Sequence, residues 1–110
     1  MQHEITLAKA IAMTERYRND HPDNFPLSES FELASVQRLL ATPGAAFLRI
    51  YYGLQEDGKM DAILVVADKD NNDILPEDST PLSPPGGGPV ILEDGYRCPP
   101  ACPPPSSLNS

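Results

Sequence analysis

The chain has 110 residues, with 16 Asp and Glu against 8 Lys and Arg, a formal charge of -8 and a pI near 4.5. That balance leaves no basic stripe to capture a phosphate backbone, and no stretch has the apolar length to cross a bilayer, so neither nucleic acid nor a membrane is an expected partner. A chain this short is one domain at most, and if its last third is tail, the remainder nears the size at which a single core is only marginally sufficient.

In chain order, "ITLAKAIAMTERYRN" predicts a first helix, because Leu7, Ala8, Ile11 and Ala12 recur at the spacing of one apolar stripe. Asp20 and the Pro22 step end it, since proline has no amide hydrogen and forces its predecessor out of the helical region. "HPDNFPLSESF" reads as a connector without regular structure, with Phe25, Leu27 and Phe31 able to pack back on the domain. A second helix is predicted over 32–41, with Leu33, Val36, Leu39 and Leu40 on one face and Pro43-Gly44 as its stop.

"AAFLRIYYGLQEDGKMDAILVVAD" predicts a β-hairpin, because Asp57-Gly58 lies between two runs rich in β-branched and aromatic residues. With those two as the central turn residues, opposite partners sum to 115 in residue number. Leu48, Ile50, Tyr52 and Leu54 then share a core face with Ile63, Val65 and Ala67. Phe47, Arg49, Tyr51, Leu64 and Val66 form a second, mixed face that the connector, a second copy or another protein would shield. Asp68, Asp70 and Asn72 open like a calcium loop. The turn glycine is replaced by Asp73 and the closing Glu by Ser79, so an acidic turn is the reading.

The expected architecture is α+β: two N-terminal helices packed on an antiparallel β-hairpin over residues 1–75. A Pro/Gly-rich linker follows over 76–89, then an apolar, strand-like segment and Cys/Pro tail over 90–110. Val90, Ile91 and Leu92 are a candidate third strand, docking on a sheet edge of this chain or of another. With Tyr96, and with Phe47 and Tyr51 of the mixed face, they are the expected partner-binding residues, the partner being another protein or a second copy.

Cys98 and Cys102 are separated by Pro99, Pro100 and Ala101. A redox dithiol has two intervening residues at a helix start, and zinc would need ligands beyond the distant His3 and His21, so no cofactor is expected. The absence of a secretory signal pattern in residues 1–20 makes the cytoplasm the expected address, where cysteines usually remain thiols. Thiols displayed on a stiff proline segment and a short, easily reduced bridge both remain open. No phosphate-cradling glycine loop or local nucleophile signature is present, so no enzymatic activity is expected.

"RIYYGLQEDGKMDAILVVADKDNNDIL" together with "ILEDGYRCPPACPP" resembles a group of small uncharacterised bacterial proteins with an α+β body and a C-terminal cysteine-proline tail. The resemblance spans most of the chain. It implies that body and tail belong together, and no activity. The expected function is that of a small acidic interaction or accessory protein whose tethered C-terminal segment makes the contact. The alternatives are a thiol-redox or metal module at Cys98 and Cys102, and the precursor of a processed or modified peptide.

Overall fold

A computed structural model describes residues 1–77 and 88–109 of the protein. The fold is α+β, and the described residues form two helices, a three-stranded antiparallel sheet and a separate two-stranded pair. Most of the expected 76–89 linker lies outside the described residues.

Helix α1 (Leu7–Asp20) starts at Thr6, whose hydroxyl accepts the Lys9 amide at 3.1 Å. Contrary to expectation it does not cover the hairpin: none of its residues is buried, and Leu7 and Met13 stay at least half exposed. The Tyr17 hydroxyl ties it to the connector, donating to the Pro26 carbonyl at 2.7 Å. Arg18 donates to the Leu108 carbonyl at 2.6 Å, so the helix lies against the C-terminal residues.

The connector is more ordered than its prolines suggest. Ser28–Ser30 forms strand β1, and Phe31 packs into the core. Helix α2 (Leu33–Leu40) ends where Thr42 returns both its amide and its hydroxyl to the Leu39 carbonyl. Leu39 is fully buried and joins Leu64 and Val66 in the central cluster, with Phe31, Ala45, Ile74, Val90 and Leu92 packed around it.

Strands β2 (Phe47–Leu54) and β3 (Met60–Ala67) make the hairpin, but partners sum to 114: Phe47 faces Ala67 and Leu54 faces Met60. The loop therefore holds Glu56, Asp57 and Gly58. Gln55 accepts the Gly58 amide and donates its own to Lys59, and Gly58 at φ 86° takes the left-handed conformation that closes a three-residue loop. A one-residue slip exchanges the faces of one strand relative to the other. Leu48, Ile50, Tyr52 and Leu54 thus share their face with Met60, Ala62, Leu64 and Val66, and the expected pairing with Ile63, Val65 and Ala67 is corrected. Strand β4 (Asp73–Ile74) adds to β3 beyond a turn in which the Asp68 carboxylate accepts the amides of Asp70 and Asn72.

The C-terminal segment, expected as a tether whose residues 90–92 could dock on a sheet edge of this chain or of another, docks on this chain's own sheet. Leu92 exchanges both backbone hydrogen bonds with Leu64, at 2.8 and 3.0 Å. Strand β5 (Tyr96–Cys98) pairs antiparallel with β1, a contact for which Gly95 is required: a Cβ there would stand 2.8 Å from the Phe31 ring. The cysteines are not free thiols. Cys98 and Cys102 are joined in a disulfide, and Cys98 is buried where the Leu27 amide meets its carbonyl.

Candidate functional site

Two features stand apart from ordinary packing. The first is the outer edge of β2. On β3, the amides of Met60, Ala62 and Leu64 all point away from β2, to the Asn24 carbonyl (2.9 Å), the Glu29 carboxylate (3.0 Å) and the Leu92 carbonyl (2.8 Å). In an antiparallel ladder such outward residues face outward residues, so Leu48, Ile50, Tyr52 and Leu54 turn their N–H and C=O groups away from β3. The connector, Glu29, Leu92 and β4 between them occupy the outer edge of β3. Among the described residues nothing pairs with the outer edge of β2.

The side chains there are apolar and solvent-facing: Tyr52 is 71% exposed, Leu54 70%, and Phe47, Leu48, Ile50 and Tyr51 about half. A groove of about 440 Å³ runs beside them, walled by Pro26, Phe31 and Val36 and floored by Leu48, Ile50 and Tyr52. The strand's polar side chains reach inward. Arg49 pairs with Asp73 and Asn71, and the Tyr51 hydroxyl donates to Asp73. Hydrogen bonds from Tyr51 and Arg49, with the guanidinium charge, outweigh desolvation and hold the Asp73 carboxyl below its ordinary value.

The second feature is polar. Asp61, 2% exposed, accepts from Arg97 Nε at 2.8 Å and from the Gln55 side chain. Arg97 also donates to the Asn24 and Met60 carbonyls, at 3.1 and 3.2 Å, so it ties β5 to β3 and the connector. Desolvation works to raise the Asp61 carboxyl, but hydrogen bonds from Gln55, Glu93 and Arg97 together with the Arg97 charge hold it below its usual range. Glu93 is pushed up by its hydrogen bond to Asp61, and Glu29 by burial. Asp61 thus sits between the Arg97 guanidinium, which favours its charge, and two carboxyl groups, Glu29 and Glu93, that are each shifted upward.

Comparison with family models, with curated proteins and with solved structures found no match. The site thus rests on its own geometry.

The expected partner-binding residues do not form one surface. Phe47 and Tyr51 lie on β2. Val90 and Leu92 pack into the core on the opposite side of β3, Ile91 is half exposed, and the Tyr96 hydroxyl is spent on Glu32 at 2.7 Å. For Cys98 and Cys102 the disulfide removes the thiolates a metal would need, and among the described residues no group of three His, Cys, Asp or Glu is placed to hold one. Among those residues, too, no helix is long and apolar enough to cross a membrane. Leu48, Ile50, Tyr52 and Leu54 were expected in the core; they do share the face of Leu64 and Val66, but on the uncovered edge strand, which no local signal in the sequence marks. Arg97 and Asp61 carry no local signal, being 36 residues apart.

Glu29 gives a prediction. One carboxylate oxygen takes the Ala62 amide, while the other is buried without a partner. A raised folded-state pKa contributes stability below the ordinary carboxylate value and loses it as pH climbs through the raised one. Glu29→Gln keeps an acceptor for Ala62, adds a donor and carries no charge. Urea unfolding near neutral pH is expected to show a gain of about 1 kcal/mol that vanishes near pH 4.

Proposed function

We propose that the protein is a non-enzymatic interaction module whose contact surface is the outer edge and apolar face of β2. The observation that carries this reading is an eight-residue edge strand, "FLRIYYGL", whose outward backbone groups meet no partner among the described residues. Folded proteins blunt such edges with lysine, proline, bulges or charges; β2 has no lysine or proline, and its one charge, Arg49, is spent on Asp73 rather than held at the open edge. A contact here works by strand addition, with backbone hydrogen bonds for affinity and alternate side chains for selectivity. The C-terminal segment supports that surface from behind, by completing the outer edge of β3.

A photo-crosslinking residue in place of Tyr52, in the full chain expressed in its native host, tests this. The expected result is a discrete crosslinked species that is lost when Ile50→Lys is added. The reading falls if position 52 crosslinks to nothing.

A further inference from the structure

Resting on that reading of β2, we infer that its occupant is the β2 strand of a second copy, paired antiparallel about a two-fold axis through Tyr51. The outward groups belong to residues 48, 50, 52 and 54 alone. The Ala46 amide is already given inward to Ala67 at 2.8 Å. A two-fold axis normal to the sheet pairs residues of like parity, which keeps each apolar face on the same side of the joined sheet. Of the registers available, the one centred on Tyr51 matches Ile50 with Tyr52 and Leu48 with Leu54, so every outward amide and carbonyl meets a partner. Centring on Ile50 would need the amide of Ala46, which is spent.

The side chains allow this register. Across the axis Arg49 meets Gly53, which has no side chain to obstruct it, and both Tyr51 rings are drawn away from the axis towards Asp73. The apolar pairs formed are aliphatic with aliphatic and aliphatic with aromatic, the kind that stabilise neighbouring strands.

The surface areas agree. The chain exposes 8136 Å², whereas a compact monomer of 12.0 kDa exposes about 6,000 Å². Granting the residues outside the described set the full surface of an extended chain, about 1,600 Å², still leaves about 500 Å² of excess. That excess is shared between α1, which buries no residue, and the exposed β2 side chains, and it leaves room for an interface of the usual size, roughly 800 Å² from each copy.

Charge makes the inference distinctive. Each copy carries -8, so screening favours association of two copies, and the dimer tightens as salt is added. A basic partner strand would show the reverse.

Sedimentation of the purified full chain over a wide concentration series is the test, joined to cysteine crosslinking. The expected result is a monomer–dimer equilibrium that strengthens with salt. Tyr51→Cys is expected to form a covalent dimer on mild oxidation, because facing residues at such a position sit about 4.5 Å apart, within reach of a disulfide. Ile50→Cys is expected not to, its own copy lying diagonally at about 7–8 Å. Tyr52→Lys, at an exposed position where the monomer loses little, is expected to weaken the dimer more than about tenfold, since the axis counts each change twice. A chain that stays monomeric throughout, or a dimer indifferent to Tyr52→Lys and uncrosslinked at position 51, overturns the inference. If the host experiment at position 52 meanwhile captures a different protein, the interaction module stands and the second copy does not.

Discussion

Exchanging Arg97 for Met is expected to cost the fold about 3–5 kcal/mol, the scale of a buried ion pair that loses one member. Asp61 would remain 2% exposed with a charge and one fewer donor, and the Asn24 and Met60 carbonyls would lose theirs. Against a total stability of about 5–15 kcal/mol for a small domain, this is a large share. The pH dependence separates lost charge pairing from lost packing. In the parent, the lowered Asp61 pKa gives stability that is present above the ordinary carboxylate value and lost as pH falls through the lowered one. In the variant the Arg97 hydrogen bond and charge are gone and desolvation weighs more, so protonating Asp61 helps the fold. Urea unfolding is expected to show a deficit that is largest near neutral pH and narrows near pH 4. Adding Asp61→Asn is expected to recover much of the loss, because no charge is then stranded. A deficit below about 1 kcal/mol would show that the pair behaves like one on the surface.

How legible these features were depended on how local their causes are. Helix α2 lies within its predicted limits because its apolar spacing and the Pro43-Gly44 stop act over a few residues, although of the expected stripe Leu39 alone is buried and Leu33 and Leu40 stay at least half exposed. Both hairpin strands were legible for the same reason. Their register was not, because Asp57-Gly58 suits either a two-residue loop or, as here, a three-residue loop with Gly58 in the left-handed position. The register did not decide the site, however: in either register Leu48 to Leu54 lie on a core-bearing face, here that of Leu64 and Val66, and they are exposed because the cover over that face stops at β3. The misplacement of α1 has a related cause. Its stripe is weak, and the face of the sheet it was expected to cover is occupied on the β3 side by α2 and Phe31 and left bare over β2.

The pairing of β5 with β1 was beyond the sequence for a different reason. Three residues on each strand, Ser28 against Cys98 at one end, carry no hydrophobic alternation, and proline-rich composition around them reads as tail. What orders them lies far away in the chain: Asp61 for Arg97, Phe31 for Gly95, Leu64 for Leu92.

The same contacts predict that body and tail cannot be separated. Removing residues 88–110 takes Val90 and Leu92 from the central cluster and leaves the Leu64 amide and carbonyl without partners. It also removes Arg97, which alone is worth about 3–5 kcal/mol, and the whole of β5. The truncated chain is expected to lose its cooperative thermal transition. A peptide of residues 88–110 supplied in trans is expected to restore it, since the edge of β3 and strand β1 would again be paired. If residues 1–87 instead melt cooperatively at the temperature of the full chain, the segment is an appendage after all, and the outer edge of β3 becomes a second open edge. Strand addition would then have two sites to choose between, whereas in the intact protein the C-terminal segment closes one and leaves β2 as the edge that accepts a partner.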